Sequence, residues 1–209
     1  MVYEKARIRR EQKVSEILDT ALDLVVEHGM DGLTVGALAD RLDWTKGAMY
    51  RYFASKDQLV AALNGRVIAE WSEAADVVLD PSEPALDQVL AVLDRFVDLA
   101  HERPAQFGLV SLTMADPRNL VAQIDDATHI PAMMGLLGRI VQLVARAAEQ
   151  GALAPGDPFA RTLQLVFALM GVLQLKKLSR FDALAFDTRS LARRTSRDLL
   201  AAWAAPESS

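Results

Sequence analysis

The amino-acid sequence predicts an all-α protein built from two helical domains. Apolar residues recur at helical spacing along most of the chain, and no segment alternates as a half-buried strand would. Prolines and glycines divide this pattern into segments of helical length, and the two prolines within residues 80–84 mark the strongest break. We expect an N-terminal domain over residues 1–66, beginning with an arm of about ten residues, and a second domain over residues 67–209.

Composition narrows the function classes. The 209 residues are 51% hydrophobic, which is enough for a core, yet no run of 18 apolar residues could span a membrane. The basic N-terminus is not followed by an apolar signal-peptide core, so a cytoplasmic protein is expected. The absence of cysteine excludes disulfides, thiolate metal sites and cysteine nucleophiles, and no cofactor is expected.

Charge is distributed unevenly along the chain. Residues 1–66 contain ten basic and ten acidic residues, so the formal net charge of −5 belongs to residues 67–209. Within the first ten residues four cations face a single carboxylate, Glu4. This asymmetry suits a molecule that presents one end to DNA, although a basic terminus that only aids solubility is an equally good explanation.

Residues 33–59 contain the most informative pattern in the chain. Thr34 can cap a short amphipathic helix over residues 35–42, and Thr45 can cap a second over residues 46–53. Helices of about eight residues are not stable alone, so packing must hold the pair. Two such helices around a short turn form a helix-turn-helix, whose second helix fits the DNA major groove.

The residues around this pair support the same interpretation. Asp43 occupies the turn, where aspartate is among the few residues that tolerate a left-handed backbone. Ser55 and Gln58 form a capping box for a helix predicted over residues 56–79. An amphipathic helix that ends at Gly29 precedes the pair.

The segment from about Arg9 to Leu63 resembles the DNA-binding domain of the tetracycline-repressor (TetR) family of bacterial regulators. The resemblance is carried, in order and spacing, by Leu33-Thr34-Val35, Leu38-Ala39, Thr45-Lys46-Gly47, Tyr50-x-Tyr52-Phe53, Ser55-Lys56-Asp57 and Leu59. Asp43, Met49 and Tyr52 depart from the commonest family pattern, which obscures the preferred DNA sequence.

The resemblance implies roles for individual residues. Those implied to hold the DNA backbone are Thr34, Tyr50, Tyr52 and Lys56, and those implied to face bases are Thr45, Lys46, Ala48 and Arg51. The small residues Gly47 and Ala48 would let the helix approach the groove closely. Phe53 is better explained as a core residue, and Lys46 outside this motif would be an ordinary surface charge.

The second domain is predicted to be entirely helical. Its expected helices cover residues 85–101, 105–115, 118–127, 132–150, 158–180 and 188–203. The family encloses a small-molecule pocket in this domain, so the resemblance implies a pocket for an apolar or amphipathic effector. The residues expected to include its lining are Phe96, Phe107, Met114, Met133, Met134, Leu137, Phe167 and Met170. For any single member of this set, core packing is the simpler explanation.

The resemblance also implies a homodimer that binds an inverted-repeat operator. Residues expected at the dimer interface are Leu165, Leu169, Val172, Leu191, Leu199 and Trp203. Two other functions fit the sequence less well. A helical enzyme lacks a nucleophile–base pair, and Asp125, Asp126 and His129 are explained better as a solvated helix end than as metal ligands. A helical carrier of a small molecule would make the helix-turn-helix pattern accidental.

Overall fold

A computed structural model of the chain describes residues 2–115, 129–176 and 187–206, and these ranges are predominantly helical. The helices are α1 (Val2–Gly32), α2 (Val35–Arg41), α3 (Lys46–Met49), α4 (Lys56–Asp76), α5 (Ala85–Glu102), α6 (Pro104–Ala115), α7 (His129–Glu149), α8 (Pro158–Gln174) and α9 (Thr188–Ala202). In the described ranges, β pairing is limited to one isolated bridge between Leu153 and Ala204. The prediction of an all-α fold is confirmed.

The chain divides into two compact units. The first comprises residues 1–68 and 105–131, and the second comprises residues 69–104 and 132–209. The described residues 105–115 and 129–131 therefore group with the first unit, although the sequence placed them in the second domain. The division of function at residue 66 stays a prediction.

Helix α1 begins earlier than the sequence suggested. The expected N-terminal arm is helical from Val2 and continues without a break into the predicted amphipathic helix. Residues 3–10 are exposed to solvent, so they add no side chain to the core. Gly29 has φ 70° and ψ −174°, which interrupts the helix where a C-terminal glycine was expected.

The core of the first unit follows the predicted apolar face. Ile17 and Leu33 are fully buried, as are Leu38 and Leu59 from α2 and α4. These side chains hold the short helix α2 in place, because α2 has only seven residues and would not persist in water.

Two helices end sooner than the periodicity indicated. α3 ends at Met49 instead of residue 53, and the chain continues in a tightened turn in which the N–H of Tyr52 donates to the carbonyl of Met49. α4 ends at Asp76 instead of residue 79, and the N–H of Leu79 donates to Asp76 in the same three-residue pattern. Apolar spacing persists through such turns, so periodicity alone cannot locate the end of a helix.

Helices α5, α8 and α9 pack together in the second unit. Fully buried side chains include Val89, Leu165, Leu169 and Ala192. Ion pairs also join α5 to α9. They link Asp98 to Arg193 at 2.7 Å, Asp94 to Arg197 at 2.8 Å, and Asp98 to Arg189 at 3.6 Å.

The ends of α7 and α8 show how proline and glycine act here. α7 begins at His129 instead of residue 132, because proline is tolerated in a first turn, where its missing N–H has no helical partner. α7 is followed by Gly151 at φ 76°. α8 begins as predicted, with the Asp157 carboxylate accepting hydrogen bonds from the N–H groups of Phe159 and Ala160.

Two predicted segments cannot be compared with the structure. The helix expected over residues 118–127 lies outside the described residues, as does the end of the helix expected to reach residue 180. Within the described part, α8 ends at Gln174 and a 3₁₀ turn continues to Lys176.

Candidate functional site

The turn between α2 and α3 has the local structure that its residues predicted. The Thr34 hydroxyl accepts a hydrogen bond from the N–H of Ala37 at 3.0 Å. The Thr45 hydroxyl accepts one from the N–H of Ala48 at 3.2 Å. Asp43 has φ 54°, which is the left-handed conformation expected at this position. These three residues set the direction in which α3 leaves the turn.

The start of α4 is capped from both sides. The Ser55 hydroxyl accepts a hydrogen bond from the N–H of Gln58 at 3.1 Å, and the Gln58 side chain accepts one from the N–H of Ala54 at 2.9 Å. The capping box is therefore present, although the glutamine bonds one residue earlier than the standard pattern. Rigid entry into α4 positions Lys56, whose Nζ donates to the carbonyl of Met30 at 3.4 Å.

Helix α3 presents two different faces. Met49 is 2% exposed and anchors the helix in the core, whereas most of its neighbours are accessible. The predicted DNA contacts Thr45, Lys46, Gly47, Tyr50 and Arg51 are exposed, and Ala48 and Tyr52 are half-buried. Of these residues, Thr45, Ala48, Arg51 and Tyr52 line one open depression of the first unit.

Lys46 lies against α2. A Cβ atom added at Gly36 would lie 3.3 Å from Cε and 3.5 Å from Nζ of Lys46. The missing side chain of Gly36 leaves room for the lysine stem, so α2 contributes to the position of the ammonium group. Sequence reasoning did not identify this contact because ten residues separate the two positions.

Tyr52 belongs to an aromatic and cationic cluster that the sequence did not reveal. Its ring centroid is 5.5 Å from that of Trp44, and the Arg10 guanidinium lies 5.5 Å above the Tyr52 ring. The Lys13 ammonium lies 5.1 Å from the Trp44 centroid. Arg10 and Lys13 are three residues apart on α1, so their shared face was detectable, but their aromatic partners were not.

An ion pair joins α1 to α2. Both guanidinium NH groups of Arg41 donate to the Glu27 carboxylate at 2.6 Å. These hydrogen bonds lower the pKa of Glu27 and raise that of Arg41. The pair is exposed, so solvent screens most of its energy, and its effect is to set the orientation of α2 on α1.

The second unit contains an apolar cavity of about 50 Å³. Trp71 and Phe96 pack edge to face in its wall, with ring centroids 5.3 Å apart. Arg95 is the one charged lining residue, and it donates to the Glu102 carboxylate at 3.0 and 3.2 Å. The other lining residues are Ala75, Val92, Leu93, Leu99, Leu136, Leu137, Ile140, Val166 and Leu169.

The cavity includes two of the eight residues expected to line a ligand pocket, Phe96 and Leu137. Four of the other six are placed elsewhere: Phe107 belongs to the first unit, Met170 is buried away from the cavity lining, and Met134 and Phe167 are about half exposed. Met133 is half-buried and outside the lining, and the Met114 side chain lies outside the described part.

The residues expected at a dimer interface fall into two groups, one fully buried and one half-buried. Leu165 and Leu169 are fully buried within the single chain and belong to its core, which corrects their assignment as contact residues. The helical period turns them inward, and Phe159 and Phe167 are the exposed aromatic residues of α8, at 46% and 53%. The remaining expected residues, Val172, Leu191, Leu199 and Trp203, are half-buried.

The described ranges contain neither a metal-binding cluster nor a membrane-spanning helix. They contain no group of three or more His, Asp or Glu side chains placed to hold a metal ion. None of their helices is both long and apolar enough to cross a membrane. Asp125 and Asp126, together with the His129 side chain, lie outside what the structure describes.

Comparison with protein families identifies the helix-turn-helix segment. Residues 17–63 match the family model of bacterial regulatory proteins of the tetR family. The matched range includes α2, α3 and the capped start of α4, and therefore every predicted DNA-contacting residue.

Individual relatives agree with this match. An HTH-type transcriptional regulator of Mycobacterium tuberculosis is 29% identical over 111 residues, which is 51% of this chain and 46% of that protein. The class A tetracycline repressor from transposon 1721 of Escherichia coli is 43% identical over 54 residues, 26% of this chain and 25% of that protein. The chain thus matches about half the length of the first relative and a quarter of the second.

The similarity in fold extends much further than the similarity in sequence. The structure of SmeT, the repressor of the Stenotrophomonas maltophilia multidrug efflux pump SmeDEF, has a TM-score of 0.69 and 20% identity. The alignment covers 93% of this chain and 91% of that one. At this identity the likeness establishes the fold.

Proposed function

We propose that this chain, which belongs to the tetR family of bacterial regulatory proteins, is a ligand-responsive transcriptional regulator. In this proposal a homodimer binds an inverted-repeat operator in the bacterial cytoplasm and represses transcription, and an apolar or amphipathic effector releases it. The observation that carries the proposal is the exposed face of α3, where Thr45, Lys46 and Gly47 are accessible above the buried anchor Met49.

The geometry of α3 suits the DNA major groove. Gly47 has no side chain to hold the helix away from the bases, and Thr45 and Lys46 supply a hydroxyl and a cation beside it. Arg51 provides a guanidinium that can read guanine or bind phosphate. Tyr50 is 52% exposed, so its hydroxyl is available to the DNA backbone.

A homodimer follows from the need for two recognition helices. A single chain presents one α3, whereas an operator of two half-sites requires a two-fold pair. The exposed aromatic residues Phe159 and Phe167, with half-buried Leu191 and Leu199, support an interface formed by α8 and α9.

The apolar cavity supports an effector site. Its lining is apolar apart from Arg95, whose guanidinium already pairs with Glu102, and such a lining suits an apolar ligand. Helix α4 contains both Lys56, assigned to DNA, and Trp71, in the cavity wall. An effector that favours the DNA-incompetent state by about 1–3 kcal/mol would be sufficient to act as an inducer.

Selection of bound sites from random duplex DNA tests the regulator directly. The expected result is an inverted repeat whose half-sites are separated by about 34–36 Å or a multiple of it. A selected site without dyad symmetry contradicts the dimer, and failure to retain any duplex at moderate salt contradicts DNA binding. The second outcome would favour a helical carrier of a small molecule.

The effector site is tested separately through Trp71. In a variant in which Trp44 and Trp203 are replaced by Phe, Trp71 is the remaining tryptophan, so its emission reports on the cavity. Candidate apolar effectors should change this emission and release the selected duplex, and Leu137→Ala should shift the concentration required. If Leu137→Ala abolished DNA binding and thermal stability together, the cavity would be a packing defect and the effector assignment would fail.

A further inference from the structure

The first three turns of α1 form a strongly basic helical surface. Residues 3–13 contain five cations and two carboxylates, a net charge of +3. The side chains of residues 3–10 are all exposed, so they do not contribute to a core. A helical segment with no buried face is marginal in water, and its exposed cations remain available to a ligand.

The cations of this segment differ in whether a carboxylate neutralises them. Arg7 donates to Glu4 at 2.6 Å and to Glu11 at 3.1 Å. Among the residues that the structure describes, neither Arg9 nor Arg10 has a carboxylate within ion-pair distance. Arg9 and Arg10 therefore keep their full positive charge toward solvent.

Arg10 is also fixed in position relative to the helix-turn-helix. Its guanidinium carbon lies over the ring of Tyr52, 5.5 Å from the centroid, and Tyr52 follows α3 by three residues. Stacking on a ring face leaves the guanidinium N–H groups at its edge available to an acceptor. Lys13 is held in the same way over Trp44, although it is also paired with Glu16 at 2.6 Å.

These residues line an open depression of about 680 Å³ in the first unit. Its walls are Arg9, Arg10 and Lys13, with Tyr52 and the shorter or uncharged side chains Ala6 and Gln12, and Glu16 is the one acidic member. A second depression, lined by Trp44, Thr45, Ala48, Arg51 and Tyr52, includes the predicted base-contacting residues of α3. Tyr52 is common to both depressions.

We infer that Arg9 and Arg10 of α1 form a second DNA contact that binds backbone phosphates flanking the half-site read by α3. Two uncompensated guanidinium groups in a concave surface suit the oxygen acceptors of a phosphodiester. Stacking on Tyr52 positions Arg10 beside the recognition helix, so that one duplex can meet both surfaces. This inference rests on the proposed function and adds to it a contact outside the helix-turn-helix.

The test compares Arg10→Ala with Arg7→Ala in the full-length protein. Both variants lose one positive charge, so long-range attraction to DNA falls equally in each. Each phosphate contact contributes about 0.9 to the slope of log affinity against log salt. Arg10→Ala should therefore lower this slope by about 0.9 per chain, and Arg9→Ala/Arg10→Ala by about 1.8 per chain. Arg7→Ala should change the slope much less, because its carboxylate partners already neutralise the guanidinium.

Neutral DNA provides a second measurement. Replacing the flanking phosphates by methylphosphonates should weaken wild-type binding and leave the Arg9→Ala/Arg10→Ala variant nearly unaffected. Circular dichroism will show whether each variant is folded, which is expected because the substituted side chains are exposed. The inference would be overturned if the Arg9→Ala/Arg10→Ala variant were as sensitive to methylphosphonates as the wild type.

The outcomes distinguish failure of the proposed regulator from failure of the proposed basic contact. Wild-type protein that retains no duplex would refute the regulator and the basic contact together. Wild-type protein that selects an inverted repeat, with equal slopes for Arg10→Ala and Arg7→Ala, would refute the basic contact alone. In that case the effect of the α1 cations would be general charge attraction.

Discussion

The helix-turn-helix and the second helical unit differ in how far apart in the sequence their contacting residues lie. In the helix-turn-helix, Thr34, Thr45 and Ser55 each cap a helix through a backbone N–H three residues away. In the second unit, the Arg193–Asp98 pair joins residues 95 positions apart. A site built from local contacts can be identified in a sequence, whereas a cavity built from distant segments cannot.

The largest expected effect is the loss of folding when a charge is placed in the core of the second unit. Leu169→Asp places a charge at a fully buried position, which costs several kcal/mol, so the variant should be unfolded or insoluble. Phe167→Asp, two residues away but 53% exposed, should remain folded with a nearly unchanged melting temperature. Circular dichroism measures folding, and if the proposed dimer uses α8, light scattering should give a lower mass for Phe167→Asp than for the wild type. A dimeric Phe167→Asp variant would remove α8 from the interface.

The next effect concerns the caps of the helix-turn-helix. Thr34→Ala and Thr45→Ala each remove one side-chain acceptor, and each should lower the free energy of unfolding by about 1 kcal/mol. Denaturant titration of both variants checks this estimate. If Thr45 also contacts DNA bases, Thr45→Ala should alter the selected half-site sequence, whereas Thr34→Ala should weaken binding to all sequences alike. Equal base preference in both variants would restrict Thr45 to capping.

Substitution of Gly47 by alanine should have a smaller effect, raising the stability of the fold and lowering the affinity for DNA. A Cβ added there would meet only the Thr45 hydroxyl, at 4.0 Å, so Gly47→Ala fits the fold. Alanine in a helix is favoured over glycine by about 0.5–1 kcal/mol, so the variant should be slightly more stable. Its DNA affinity should nevertheless fall because the added methyl group keeps α3 farther from the bases.

Gly135→Ala is the matched control for this experiment. Gly135 is an exposed glycine in α7 with open space around its Cβ position. The substitution should increase stability similarly and leave DNA affinity unchanged. Unchanged DNA affinity in Gly47→Ala would show that α3 does not approach the groove at this residue.

The smallest effect is pH dependence at the junction of α1 and α2. Hydrogen bonds from Arg41 lower the pKa of Glu27 in the folded protein, so the unfolded chain binds the proton more readily. The stabilising contribution is therefore present above the ordinary glutamate pKa of about 4.3 and is lost as the pH falls through the lowered folded value. Glu27→Gln should lower the melting temperature slightly at neutral pH, and the difference from wild type should disappear in acid.

Glu73→Gln serves as the comparison, since Glu73 is an exposed carboxylate of α4 with no ion pair recorded in the described ranges. Its melting temperature should follow that of the wild type across the whole pH range. A Glu27→Gln difference that persisted unchanged in acid would mean that the Arg41 pair does not contribute to stability.

Tertiary contacts refined the site in ways that local sequence could not. Residues 2–10, expected as part of an arm, form the start of α1, and Arg10 meets Tyr52 across 42 positions. The predicted pocket set shared Phe96 and Leu137 with the cavity, because apolar spacing cannot distinguish a lining residue from a core residue. The same ambiguity placed Leu165 and Leu169 at an interface although both are fully buried.

The sequence by itself determined the all-α fold, the helix-turn-helix with its caps, and the left-handed turns at Gly29, Asp43 and Gly151. Each depends on hydrogen bonds or backbone sterics within a few residues, so the local residue types are sufficient. Only the tertiary structure decided which side chains line the cavity, which partners neutralise each arginine and which face of α8 remains exposed. Those properties depend on which distant segments meet, and helical periodicity carries no information about that.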